Sequence, residues 1–111
     1  MTITLNEYQE LAMKTAIFPE SAKYSYPALG LAGEAGEVAN KAKKLIRDGA
    51  TEEELAVKLM DIADELGDVL WYIAAMAQAC DVSLEQIAKS NLHKLADRAR
   101  RGKLGGDGDK R

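Results

Sequence analysis

The sequence has only one cysteine, one histidine and two prolines in 111 residues. A lone cysteine, Cys80, excludes an intramolecular disulfide framework and a thiolate zinc cage; it reads as a small core residue. A lone histidine, His93, excludes a multi-histidine metal site within one chain and reads as a surface or packing residue. No apolar run approaches the roughly 18 residues that a membrane span needs. Asn6, Glu7 and Glu10 stand where a signal peptide would carry an apolar stretch, so a reducing cytoplasm is the expected compartment. Excess positive charge is lacking too. Acidic residues number 18 against 15 basic, a net charge of -3, which gives no support to nucleic-acid binding. Neither nucleic acid nor membrane is expected as a partner.

What is present describes a soluble globular domain: 47% hydrophobic and 30% charged residues, enough to bury a core. Strand-type alternation is weak, whereas apolar spacings of three and four recur, so the pattern predicts four helices and no sheet. The first runs from about Leu5 to Ala16, capped by Thr4 or Asn6. Phe18 to Tyr24 read as a loop because Pro19 breaks the pattern. The second starts near Ser25 as N-cap, accepts Pro27 in its first turn, and stops at Asp48-Gly49. The third opens with the capping box Thr51/Glu54. Leu55, Leu59, Ile62, Leu66, Val69, Ile73, Met76 and Cys80 then form one apolar stripe. The fourth opens with Ser83/Gln86 and carries Leu84, Ile87, Ala88, Leu95 and Ala99. Residues 1–101 thus form a helical domain, and 102–111 have the Gly, Asp and Lys composition of a mobile tail. The expected architecture is an all-α antiparallel four-helix bundle, oligomerising into a larger helical bundle because so much Ala and Leu leaves apolar surface to bury.

Gly30, Gly33 and Gly36 recur every third residue inside the second helix, each costing about 1 kcal/mol against alanine. Something therefore approaches that backbone closely, another helix ahead of a ligand.

On the third helix Asp61, Asp64, Glu65, Asp68 and Tyr72 fall within roughly 100° of arc, with the apolar stripe centred about 120° away. Like charges at this spacing repel, and no basic residue lies between Lys58 and Lys89 to offset them. The second helix adds Glu34 and Glu37, whose roots lie about 5–6 Å apart among small and apolar residues. Carboxylates in such a setting need a cation or a raised pKa. Basic residues collect at the margins: Lys41, Lys43, Lys44 and Arg47, then Lys94, Arg98, Arg100 and Arg101. Acid at the centre with base around it suits a metal-bound polyphosphate. Carboxylate oxygens without Cys or His favour Mg²⁺, Mn²⁺ or Ca²⁺. Redox iron is disfavoured because Glu37 and Asp68 stand where di-iron bundles place histidine.

The segments Gly30-Leu31-Ala32-Gly33-Glu34-Ala35-Gly36-Glu37-Val38 and Asp64-Glu65-Leu66-Gly67-Asp68-Val69-Leu70-Trp71-Tyr72 resemble the MazG-like nucleoside triphosphate pyrophosphohydrolases. That family shows Glu-x-x-Glu on one helix and Glu-x-x-Asp on the next long one. The resemblance extends to Glu7-Tyr8-Gln9, to Asn91-Leu92-His93-Lys94-Leu95 and to the glycine-rich end. It implies an all-α bundle that hydrolyses (d)NTP to (d)NMP and pyrophosphate with Mg²⁺, Mn²⁺ being the substitute, and that assembles as dimers or tetramers. It makes Glu34, Glu37, Glu65 and Asp68 the metal ligands, around a water that attacks the α-phosphorus. It leaves open whether one glutamate, Glu34 ahead of Glu37, takes that water's proton instead. The basic, glutamate-rich pattern of phosphoribosyl-ATP pyrophosphohydrolases is not seen here.

The remaining site candidates each have two readings. Tyr72, one turn beyond Asp68, either stacks on sugar or base or packs at the bundle edge. Asn91 lies amid Leu84, Ile87 and Leu95, where an amide needs partners, nucleotide or helix. Lys94, Arg98 and Lys44 either reach phosphate or are solvated. Trp71 reads as core or dimer interface ahead of base platform. The tail is expected to fold over substrate or a neighbouring subunit. Two other functions keep the same fold: a non-catalytic nucleotide-binding or helical interaction module, and a structural dimer with a solvated acidic face.

Overall fold

Residues 1–111 are described by a computed structural model containing four α-helices and no strand: α1 (Leu5–Met13), α2 (Ser25–Asp48), α3 (Glu52–Ala79) and α4 (Leu84–Arg100). A single 3₁₀ turn, Glu20–Ala22, interrupts the link between α1 and α2.

Local chemistry sets most of the boundaries. Thr4/Glu7, Thr51/Glu54 and Ser83/Gln86 form reciprocal capping boxes at the starts of α1, α3 and α4, each satisfying backbone donors that a helix start leaves free. Of the two caps expected for α1, Thr4 is used. Ser25 is not the cap of α2. It is the first helical residue, and Tyr24 before it makes no side-chain cap. Pro27 is among the few fully buried side chains, so tertiary packing rather than a cap anchors this start. α1 ends at Met13 instead of continuing to Ala16, and Lys14, Thr15 and Ala16 close it with backbone bonds to Leu11, Ala12 and Met13.

α2 and α3 are joined by Gly49–Thr51 and form the long antiparallel pair of the fold. α3 ends at Ala79, and its C-cap Cys80 is exposed and not a core residue. The helix terminates there because Asp81 turns left-handed at φ 58°. The amides of Asp81 and Val82 then bond back to Gln78 and Ala77, the pattern of a Schellman cap. α1 clamps the following corner. The Gln9 amide donates to Gln78 Oε1 at 3.2 Å and to the Val82 carbonyl at 3.1 Å, and its oxygen accepts from Leu84 N at 2.7 Å. Asn6 accepts from Glu85 N at 3.1 Å. Two donors at the start of α4 are thereby satisfied by α1.

The core is small. Ala74, Ala77 and Leu84 are buried, with Tyr8, Met13, Ile73 and Val82 packed around them. The apolar stripes expected to be buried are open over much of their length: Leu55, Leu59 and Leu66 of α3, and Ile87 and Leu95 of α4, are exposed. Asn91 accordingly lies in solvent and is not a buried amide. The radius of gyration, 17.0 Å, exceeds the roughly 13 Å of a compact chain of this length. The bundle is open on one side, with α4 meeting α1 and the end of α3.

The tail is folded, against the expectation from its composition. Gly102 at φ 68° takes the left-handed position that ends α4. The Arg111 guanidinium then gathers the carbonyls of Lys103, Leu104, Gly105 and Gly108. The Asp109 carboxylate sits on Lys94 at 2.7 Å and on Arg98 at 3.2 Å. The tail therefore closes on its own α4. Lys94, then Arg98, hold the Asp109 carboxyl below the usual carboxylate range. A depressed carboxylate keeps its contribution above its unfolded value and loses it as pH falls through the folded one. Asp109→Asn should therefore speed tryptic cleavage at Lys103 a few-fold at neutral pH with helix content unchanged. Acid should reproduce this only below the ordinary carboxylate range. Equal cleavage rates at neutral pH would show that the ion pair does not hold the tail.

Candidate metal centre

The antiparallel pairing of α2 and α3 sets Glu34 opposite the i, i+3 pair Glu65 and Asp68. One carboxylate oxygen from each of the three lies within 4.8 Å of the others. Glu34 and Glu65 are half-buried and Asp68 is exposed. Glu34 and Glu65 share a hydrogen bond, which, ahead of burial and the Asp68 charge, raises the Glu34 carboxyl above its ordinary range. Glu65 moves the other way, lowered first by Lys41 and then by Glu34. Glu37 is not among the three. It lies one turn along α2, exposed, and adds its charge to Glu34 and Lys41.

A recess of about 350 Å³ opens beside the cluster, lined by Glu34, Asp68, Thr15, Trp71 and Tyr72. Its wall is built from aromatics. Tyr72 packs edge-on to Trp71 with centroids 5.0 Å apart and lies 6.3 Å from Tyr26, which itself stacks on Phe18 at 4.6 Å. The Trp71 indole donates to Thr15 Oγ1 at 2.8 Å and to the Ala12 carbonyl at 3.2 Å, pinning the wall to the end of α1. The Tyr72 ring lies on the Gly30 backbone, so close that a Cβ there would stand 2.1 Å from Tyr72 Cε1. The close approach expected over the glycines of α2 is therefore a side chain of α3 at Gly30, while Gly33 and Gly36 have open space before them.

The other candidates lie apart. Lys44 lines a cleft of about 180 Å³ with Lys41, Lys58, Asp48 and Asp61 between the same two helices. Asn91 and Lys94 line a groove on α4 with Gln86 and Ile87. Arg98 is buried and holds Asp109. His93 is exposed. Within one chain, then, Glu34, Glu65, Asp68 and Tyr72 come together, and Asn91, Lys94 and Arg98 do not join them.

Three residues were not singled out as site residues by sequence. Lys41 reaches Glu65 across the hairpin at 3.2 Å; Thr15 lines the recess; Tyr8 of α1 is raised by burial and by the Asp68 charge. The Glu7-Tyr8-Gln9 segment pointed toward the last, but no spacing rule connects a loop threonine with α3.

The donor set consists of hard carboxylate oxygens with no sulfur or imidazole, which fits a hard divalent ion such as Mg²⁺, Mn²⁺ or Ca²⁺. The MazG nucleotide pyrophosphohydrolase domain matches residues 24–102, a span that contains all four acidic positions. The Gene 37 protein of Mycobacterium phage L5 is 44% identical over 112 aligned positions, covering 94% of this chain and 96% of the phage protein. No solved structure matches the chain.

Proposed function

The chain belongs to the MazG nucleotide pyrophosphohydrolase family, and from that premise we propose that it hydrolyses (deoxy)nucleoside triphosphates to the monophosphate and pyrophosphate. The observation that carries this reading is the convergence of Glu34, Glu65 and Asp68 oxygens within 4.8 Å beside an aromatic-walled recess. Like charges are held together at a cost in folding stability, which a divalent cation with its anionic ligand would offset further than Lys41 alone.

In this reading Glu34, Glu37, Glu65 and Asp68 hold Mg²⁺, with Mn²⁺ as substitute. Such an ion neutralises triphosphate charge and lowers the pKa of bound water. Glu34, or Glu37 one turn on, accepts the proton as water oxygen bonds to the α-phosphorus and the bond to pyrophosphate breaks. Tyr72 stacks on sugar or base at the recess, pinned by Trp71. Lys44, Lys94 and Arg98 take phosphate oxygens, and Asn91 contacts the nucleotide. That Lys94 and Arg98 already grip a carboxylate supports their use as oxyanion binders. The open apolar faces of α3 and α4 support a homodimer or homotetramer, in which α4 of one copy is free to meet the carboxylates of another. No helix is long and apolar enough to cross a membrane. We place the protein in the cytoplasm.

The test is a pyrophosphate-release assay across the eight common (d)NTPs. Turnover of at least one with Mg²⁺, abolished by chelator, is the expected result. Nucleotide binding without product would instead make the chain a non-catalytic nucleotide-binding module.

A further inference from the structure

The carboxylate cluster is not free of cations in the chain itself. Lys41 lies four residues after Glu37 on α2, and its ammonium stands 3.2 Å from Glu65 Oε1 and 3.5 Å from the Asp61 carbonyl. Both partners are partly shielded, with side chains 34% and 19% exposed. The charge on Lys41 is held by Glu65 first, then by Asp61 and Glu37. Lys44 and Lys58 share a cleft with Lys41 between the two helices, and Lys58 donates to the Gly49 carbonyl, but only Lys41 forms an ion pair with Glu65.

A hard divalent ion requires ligand oxygens directed at it, and here one Glu65 oxygen is directed at an ammonium. We infer that Lys41 is a positioning residue: a built-in counter-cation that keeps Glu65 in the cluster, that an entering divalent ion displaces, and that is thereby released toward the phosphates of the nucleotide. This rests on the metal-site reading above and goes beyond it by adding a residue outside the acidic motifs. The arrangement makes the metal alone bind weakly, because it must break an ion pair. Metal with nucleotide binds well, because the phosphate gives the ammonium a new partner. Arginine retains the competing charge, whereas methionine keeps the stem and removes the charge.

The experiment is titration of the full-length chain with Mn²⁺ alone, followed by calorimetry, for wild type, K41M, K41Q and K41R, with folding checked by helix content. K41M and K41Q should bind Mn²⁺ about fivefold more tightly than wild type, the upper end for a partly exposed ion pair, while K41R binds like wild type. At saturating Mn²⁺, K41M should raise the KM for the best nucleotide more than it lowers kcat, and K41R should restore it. Unchanged or weaker Mn²⁺ affinity in K41M and K41Q overturns the inference while leaving the metal site standing. Absence of Mn²⁺ binding in wild type and every variant overturns the metal-site reading itself, and the inference with it.

Discussion

Asp68→Asn should lower pyrophosphate release on the order of a thousandfold, while the apo protein melts no lower than wild type. The first half follows from what a metal-bound carboxylate supplies. A divalent ion contributes several kcal/mol of transition-state charge stabilisation, and each ~1.4 kcal/mol is a factor of ten in rate. The second half follows from geometry. Asp68 makes no ion pair in the chain, and its oxygen shares a 4.8 Å cluster with Glu34 and Glu65, so removing its charge relieves repulsion. Loss of activity with stability kept or raised is the pattern of a site that folding tolerates rather than needs. Measurement requires a melting curve without metal, a second with Mg²⁺ and nucleotide, and steady-state pyrophosphate release. Wild type should gain about 2.7 kcal/mol at a hundredfold excess over the dissociation constant, and the variant should gain much less. Near-normal turnover in the variant would remove Asp68 from the machinery. A lower apo melting temperature would assign it a structural role.

The parts of this molecule that are written locally were legible. Two capping boxes are read from the sequence, Thr51/Glu54 and Ser83/Gln86, and both form; at α1 only the cap itself is offered, as Thr4 or Asn6, and Thr4 forms a third box with Glu7. The facing of Glu34 with Glu65 and Asp68 follows from two helical i, i+3 spacings and a short link that leaves an antiparallel return as the available path. What depends on distant partners was not legible. Ser25 has a good cap residue's chemistry, yet the buried Pro27 and its neighbours set that helix start. The stripes of α3 and α4 have core periodicity, but periodicity marks which face is apolar without saying what covers it. Glycine and aspartate in the tail suggested mobility, whereas Arg111 supplies four donor contacts to the carbonyls around it. Lys41 stood in a run of four basic residues, and nothing in that run distinguishes the one that crosses to Glu65.

Gly30→Ala should destabilise the protein, against the ordinary rule that alanine in place of a helical glycine adds about 1 kcal/mol. An added Cβ would lie 2.1 to 2.5 Å from three ring atoms of Tyr72. The ring cannot simply step aside, because Trp71 stands edge-on at 5.0 Å and is itself fastened to Thr15 and Ala12. Overpacking of this kind costs about 1–3 kcal/mol. After the helix-propensity gain the net loss is about 0–2 kcal/mol, or up to roughly 10 °C in melting temperature for a chain of this size. Tyr72→Ala should also destabilise, by losing a half-buried ring. The double variant G30A/Y72A should melt higher than the sum of the two losses allows, since the clash and the glycine penalty vanish together. The nucleotide should register the same displacement, because Tyr72 walls the recess beside Glu34 and Asp68. KM should rise in G30A more than kcat falls. Additive losses in the double variant would mean that Gly30 and Tyr72 act independently. A stabilised G30A would mean that the ring has room to leave, and that the recess is not held in shape by the notch Gly30 provides.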